Sequence, residues 1–368
     1  MKYFLIAGEA SGDLLGASLM EGIIAKDPQA EFNFWGGDEM SKKSAGLLQH
    51  YRDIAIMGFV EVLMKIRTIK ANLEQCKKQI TNYQPDVLIL IDFPGFNMRM
   101  AEFAKKSGIK TCYYIAPKIW AWNEKRGFKL EKYIDLLLLI FPFEIEYFKK
   151  WKVNSLYIGN PLFNQTQAFI PDPKFKEKNK LNQKPIIGLL PGSRKQEIKR
   201  MLPKMVLLAA KYPQYQFIIA GSPGLTADFY TSYLSENVRL IFHATRDILA
   251  HSEAALVCSG TASLETAFMK VPHVVAYAAQ PLTYLIASRF VKVKYASIMN
   301  LSFDREAVKE LIQHHFTLEN LQLEFEAILP GGSKRQKLLA DYDLLHKHFS
   351  KKNASEVGAE AIIKMFNA

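Results

Sequence analysis

Cysteine is scarce in this sequence: Cys76, Cys112 and Cys258 are all there are, far apart and with no CxxC pair. An odd, scattered set excludes a disulfide framework and a thiolate zinc site, and leaves the thiols as small buried hydrophobes. Long apolar runs are missing too. The greasiest stretch, Ile134 to Phe143, contains Asp135 and Pro142 and falls well short of the roughly eighteen residues a spanning helix needs. The opening MKYFLIAGEASGD loses its apolar character at Gly8 and Glu9, too early for a signal-peptide core, so the chain is expected to stay in the cytoplasm. Of the eight histidines, His314 and His315 are adjacent, and His346 and His348 sit two apart on a helical pattern, where side chains diverge. No metal set follows from that spacing. GxGxxG, the Walker lysine and the GxSxG elbow are absent as well, so neither a dinucleotide nor any other cofactor is expected.

What is abundant is positive charge. Lys and Arg number 48 against 36 Asp and Glu, a formal +12, which predicts attraction to an anionic partner: nucleic acid, acidic lipid headgroups or phosphorylated substrates. With 368 residues, 49% of them hydrophobic, the chain has material for two ordinary domains.

Short β-branched or aromatic runs alternate with helical-period segments from the start: Tyr3 to Ala7, Phe32 to Trp35, Val87 to Ile91, Thr111 to Ile115, Leu136 to Ile140 and Leu156 to Ile158. Continuous apolar strands separated by helices predict a parallel sheet covered on both faces. Between Gln165 and Lys184 the pattern collapses into PDPKFKEKNKLNQK. The rhythm then resumes at Ile186 to Leu190, Phe217 to Ala220, Leu240 to Phe242, Ala254 to Val257 and His273 to Tyr277. The fold expected is α/β, with a first doubly wound domain over 1–165, a linker over 166–184, a second domain over 185–339, and a C-terminal helix over 340–368 completing the first domain. Ligands of open α/β sheets bind outside the carboxyl ends of strands, so the site is expected between the two domains.

Four turns carry chemistry. Ala7-Gly8-Glu9-Ala10-Ser11-Gly12-Asp13 empties the first strand into a helix. Its amides suit an anion or a sugar hydroxyl, or else Ser11 simply caps the helix; Glu9 and Asp13 exceed what a turn needs. ILILIDFPGFN places Asp92 at the carboxyl end of the strand read as the third, as a general base for a hydroxyl or as a cap, with Asn97 available to cap the next helix. In the second half, LLPGSR sets Gly192, Ser193 and Arg194 after a strand, where a guanidinium suits paired bonds to a diphosphate, the plain alternative being a capped turn with a solvent-facing arginine. SGTASLE repeats the arrangement with Ser259, Gly260 and Thr261 at a helix start, and Glu265 one turn on, placed to accept from ribose hydroxyls. Two further segments interleave cations with apolar groups as membrane-surface elements do: one holds Phe59, Val60, Leu63, Met64 and Arg67, the other Arg289, Phe290, Lys292 and Lys294. Core burial is the competing explanation for the first.

Taken in order, AGEASGD, MGFVEVL, IDFPGFN, PKIWAWNEKR, LLPGSR, SGTASLE, VKVKYASIMNL and REAVKELIQ resemble the lipid-A-disaccharide synthase family, glycosyltransferase family 19, along nearly the whole chain. The resemblance implies a GT-B architecture of two Rossmann-like domains facing across a cleft. It implies transfer of 2,3-diacylglucosamine from UDP-2,3-diacylglucosamine to 2,3-diacylglucosamine 1-phosphate (lipid X), with a β-1,6 bond formed, UDP released and the donor configuration inverted. Asp92 is then the base, with Glu9 the second candidate; Gly192, Ser193, Arg194, Ser259, Gly260, Thr261 and Glu265 hold UDP; Asn300, Glu310 and Gln313 lie beside the donor; and Ser11, Asp13, Asn97 and Trp120 line the acceptor side. The partners implied are the two lipid substrates and an anionic membrane surface on the cytoplasmic face of the inner membrane, with no nucleic acid and with room for a homodimer. Three positions depart from the family pattern: Asn160, Gly95 and the loop Ser302-Phe303-Asp304-Arg305-Glu306. The competing assignments are another GT-B enzyme, either an N-acetylglucosaminyltransferase or a UDP-sugar 2-epimerase, and a non-catalytic basic module for lipid or nucleic acid.

Overall fold

The computed structural model describes residues 1–54, 66–280, 284, 289, 291, 293–349 and 352–367. They divide into two compact units, Met1–Asn164 with Ser350–Ala368, and Gln165–Phe349.

The first unit is built on a seven-stranded sheet in the order β3-β2-β1-β4-β5-β6-β7. Its strands are β1 (Lys2–Ala7), β2 (Glu31–Gly36), β3 (Leu47–His50), β4 (Val87–Ile91), β5 (Lys110–Tyr114), β6 (Leu136–Leu139) and β7 (Ser155–Tyr157), paired in parallel throughout. Every residue of β4 and β6 is buried, as a strand with helices on both faces must be. The short edge strand β3 carries Gln49 and His50 and no apolar run, which is why its sequence does not announce it. Val87–Ile91, expected third, is therefore the fourth strand.

The second unit repeats the plan with β8 (Ile186–Leu190), β9 (Gln216–Gly221), β10 (Val238–Phe242), β11 (Ser252–Cys258), β12 (His273–Tyr277) and β13 (Glu310–Ile312), in the order β10-β9-β8-β11-β12-β13. All of these pairs are parallel. In each sheet the order reverses direction once, between β1 and β4 and between β8 and β11. At such a reversal the connecting helices leave on opposite faces and open a crevice at the carboxyl ends of the two central strands.

Two expected boundaries shift. The stretch 340–368 does not act as one piece: the helix Arg335–His348 stays with the second unit, where the Tyr342 hydroxyl bonds the Val271 carbonyl (3.0 Å) and His273 Nδ1 (2.8 Å). Only the helix Ala354–Asn367 returns to the first unit, packing on the helix Ala10–Lys26 with Ser18 Oγ and Ser355 Oγ 2.7 Å apart. The segment 166–184 is likewise no bare linker. Phe175 on the short helix Phe175–Lys178 is 2% exposed among Ile186, Ile218 and Ile248, and the Asp172 N–H donates to Asp247 Oδ1 at 2.8 Å. One anchoring aromatic in a polar stretch leaves no periodic signal.

Candidate active site

At the first reversal, Glu9 follows β1 and Asp92 follows β4, and Glu9, Ser11 and Asp92 line one small hollow. Asp92 and Phe93 both have left-handed backbone, φ 45° and 47°. Two consecutive non-glycine residues there store on the order of 1–3 kcal/mol each, strain that persists only where the surroundings enforce it. The enforcing groups are visible. Asn97 Nδ2 donates to the Asp92 carbonyl at 2.8 Å and to that of Ile91 at 3.2 Å, and the Tyr113 hydroxyl donates to the Asp92 carbonyl at 2.7 Å.

Asn97 is therefore neither a cap nor an acceptor contact. Phe93 occupies the cap position of the helix Pro94–Lys106, and Asn97 is fully buried, tying strand ends together. Ser11 is not a cap either: Glu9 holds that position of the helix Ala10–Lys26, leaving Ser11 exposed within the first turn. Asp13 turns inward, 3% exposed, its carboxylate accepting from the N–H groups of Gly37 (2.7 Å), Glu39 (2.9 Å) and Met40 (3.1 Å). Its negative charge is consumed in holding that loop, which removes it from the acceptor side.

Desolvation raises the Asp92 carboxyl pKa above its ordinary value, while Lys118 and the Phe93 N–H pull it down. The residue nevertheless keeps an exposed surface and lines the hollow it shares with Glu9 and Ser11, where the surrounding protein disfavours its charge. That is the setting of a proton acceptor. Lys118 belongs to PKIWAWNEKR, the segment that also supplies Trp120.

The Trp120 indole donates to Glu144 Oε1 at 3.1 Å, which directs its polar edge into the protein. Glu144 is fully buried and also accepts from the Ile140 (3.2 Å) and Phe141 (3.1 Å) amides; burial raises its pKa to about 7. A carboxyl with a raised folded pKa takes up a proton more readily folded than unfolded, so its penalty on the fold is full above pH 7 and fades as pH falls towards 4.5. The wild type is thus expected to gain in thermal midpoint between pH 8 and pH 5 and to show a Trp fluorescence titration near pH 7, and Glu144→Gln is expected to flatten the first and abolish the second. Unchanged profiles in the variant exclude Glu144 as the titrating group.

At the second reversal, Gly192, Ser193 and Arg194 follow β8, and Ser259, Gly260 and Thr261 follow β11, its paired neighbour. Gly192 has φ +109°, and a Cβ there would stand 2.8 Å from Glu197 Oε2 and 3.3 Å from Cys258 Sγ, so this turn packs against the end of β11. Gly260 has φ +139° and open space where a Cβ would be, a glycine required by backbone conformation alone. Arg194 is half exposed, its Nη1 3.3 Å from Glu197 Oε1, a long surface pair that a diphosphate can replace. Ser259 contributes less than expected: its N–H bonds the Ala276 carbonyl (3.0 Å) and its hydroxyl the Ala296 carbonyl (3.2 Å). The donors left for an anion are the first-turn amides of the helix Thr261–Phe268.

Glu265 Oε1 accepts from Arg246 Nε at 2.8 Å, and Arg246 Nη2 donates to Gln165 Oε1 at 2.7 Å. One guanidinium N–H uses one of about four acceptor sites on a carboxylate, so Glu265 keeps capacity for a ribose. Arg246 lies nineteen positions before it with no motif of its own, and sequence reasoning missed it.

Asn300 and Glu310 form an internal clasp. Asn300 is fully buried, donating to the Val308 carbonyl (2.8 Å) and Glu310 Oε1 (2.7 Å) and accepting from the Ala307 (2.8 Å) and Val308 (2.9 Å) amides. Glu310 also accepts from the Ala296 and Ser297 amides at the start of the helix Ile298–Phe303. Gln313 closes both its amide groups on the Ala279 backbone, at 3.0 and 3.1 Å. Asn300 thus shapes the loop and cannot itself touch a donor sugar, a correction to its expected place.

Of the membrane-surface candidates, Phe59, Val60, Leu63, Met64, Phe290 and Lys292 lie outside the described residues; Arg67, Arg289 and Lys294 are exposed. No helix among the described residues is long and apolar enough to cross a membrane.

Comparison with known proteins agrees with this fold. Solved structures share the fold at low identity: a UDP-GlcNAc 2-epimerase from Neisseria meningitidis bound to UDP-GlcNAc (TM-score 0.67, 11% identity, 99% of this chain and 100% of that one) and the glycotransferase of kitacinnamycin (TM-score 0.64, 12% identity, 99% of each). The architecture is GT-B, two Rossmann-like domains. Curated lipid-A-disaccharide synthases match from end to end, that of Coxiella burnetii (strain CbuG_Q212) at 33% identity over 97% of this chain and 96% of its own, and that of Erwinia tasmaniensis at 34% over 98% and 97%. The family model of lipid-A-disaccharide synthetase matches residues 3–362, and with relatives this similar over their full length, the chain belongs to the lipid-A-disaccharide synthase family of glycosyltransferases.

Proposed function

We propose that this chain transfers 2,3-diacylglucosamine from UDP-2,3-diacylglucosamine to the 6-hydroxyl of lipid X, at an anionic membrane surface. The observation that supports it is a pair of chemically different strand ends: a hollow lined by Glu9 and Asp92 at the β1/β4 reversal, and a glycine-and-arginine turn pair at the β8/β11 reversal. Asp92 takes the proton from the acceptor hydroxyl; the hydroxyl oxygen forms the new bond to the donor anomeric carbon; the bond from that carbon to the diphosphate breaks, and its electron pair leaves on UDP. Arg194 and the amides at Thr261 receive the charge that develops on the leaving oxygen. Attack opposite the departing group turns an α-linked donor into a β-linked product. The exposed cations Arg67, Arg289 and Lys294 and the net +12 favour anionic headgroups, where both acylated substrates reside.

Mass spectrometry of products from UDP-2,3-diacylglucosamine plus lipid X decides the matter. A tetraacyl disaccharide 1-phosphate with stoichiometric UDP is expected. No disaccharide, and a UDP-sugar of unchanged mass whose proton NMR couplings show an altered configuration, would instead make the chain an epimerase.

A further inference from the structure

Beside the Asp92 turn, and wholly within the first unit, opens a hollow of about 270 Å³ whose walls include Gly95, Asn123 and four cations, Arg99, Lys125, Arg126 and Lys129. It lies between the helix Pro94–Lys106, the turn Glu124–Arg126 and the helix Gly127–Tyr133. Among the described residues no acidic side chain lines it. The nearby acids are engaged: Glu124 pairs with Lys150, and Glu102 with Lys106 at 2.8 Å, although Glu102 also feels Lys129. Arg99 Nη1 donates to the Gly95 carbonyl at 3.0 Å. Arg126 is half-buried, and burial lowers its guanidinium pKa, with Tyr113 raising it and the like charge of Arg99 lowering it further.

Cations gathered from three elements around one hollow set up a local potential that favours an anion there. The hollow is smaller than the roughly 300–1,000 Å³ of drug-sized pockets, so it suits a charged head and not a lipid tail. Guanidinium forks and ammonium groups together favour a phosphomonoester, which carries more charge than a phosphodiester. Pro94 is also in the wall and follows Asp92 by two residues, at most about 7 Å of chain, the scale of one sugar ring.

We propose that this hollow is the acceptor's phosphate subsite, in which Arg99, Lys125, Arg126 and Lys129 hold the anomeric phosphomonoester and so orient the far hydroxyl towards Asp92. The inference rests on the transfer reaction proposed above and adds the group by which the acceptor is selected.

Lys125 and Lys129 are exposed, so Lys125→Gln/Lys129→Gln tests the subsite without threatening the fold. With a short-chain, soluble lipid X the double variant should raise the acceptor KM about tenfold or more, the usual cost of losing charge-assisted bonds, while the donor KM stays within about twofold. With the same acceptor lacking its phosphate, variant and wild type should perform alike. Equal losses on both acceptors overturn the proposal. So does a loss seen only on phosphatidylglycerol vesicles and absent with soluble acceptor, which assigns the cations to lipid headgroups. Calorimetry with glucosamine 1-phosphate reads the subsite without turnover: binding about tenfold weaker in the variant supports it even if no disaccharide forms, and equal binding overturns it.

Discussion

Asp92→Asn should lower turnover by about 10²-fold or more while UDP affinity stays within about twofold, because the substitution removes a proton acceptor and leaves the second unit's turns untouched. It is a clean substitution on structural grounds. Asparagine tolerates the left-handed φ of 45° that Asp92 adopts better than most residues, and the Asn97 and Tyr113 bonds go to the Asp92 backbone carbonyl, which the variant retains. Stability should move the other way from activity. A carboxyl with a raised folded pKa opposes folding when ionised, and that opposition disappears as pH falls through the folded value, so the variant's thermal midpoint at pH 7 should equal or exceed the wild type's. In kcat against pH the wild type should show an acidic limb above the ordinary carboxylate range near 4, moved higher still in Lys118→Ala because Lys118 is the cation that pulls Asp92 down. Unchanged turnover in Asp92→Asn would transfer the role to Glu9, the other carboxylate in the same hollow.

Arg194→Ala is expected to weaken UDP binding by about 10- to 100-fold, the range for a guanidinium bonded to phosphate oxygens, with little change in thermal midpoint. The asymmetry follows from its surroundings: a half-exposed arginine 3.3 Å from Glu197 contributes little to the fold. Arg194→Lys should recover only part of the affinity, since a point charge cannot make the paired contacts of a planar fork. Calorimetric titration with UDP is the check, and affinity equal to wild type would show that the guanidinium does not touch phosphate.

The strands that the sequence spells out most plainly and those it hides differ in burial and in their polar members. β4, β6 and β8 are buried on both faces and spell out continuous apolar runs. β3 and β13 are edge strands of four and three residues, and their polar members, Gln49 and Glu310, break the pattern. The site divides similarly. Asp92, Glu9, Gly192, Arg194, Gly260 and Thr261 are legible because a strand end followed by a helix start fixes where a residue must be. Asp13, Asn97 and Asn300 are polar residues in the same motifs, and nothing in a one-dimensional pattern tells whether a side chain turns out to a ligand or in to a backbone amide. The positions of Gly37, Ile91 and Val308, their actual partners, depend on tertiary packing. Arg246 and Glu144 are missed because their partners, Glu265 and Trp120, lie nineteen and twenty-four positions away.

The helix Ala354–Asn367 lies on the helix Ala10–Lys26, yet the whole of the second unit is translated between them. A ribosome therefore releases the second unit with all its parts in hand while the first still waits for its last wall, with Leu19, which faces Gly358, uncovered in the meantime. Assembly order thus runs against chain order: the half that begins synthesis is the half that finishes folding, and it spends that interval as the more aggregation-prone of the two.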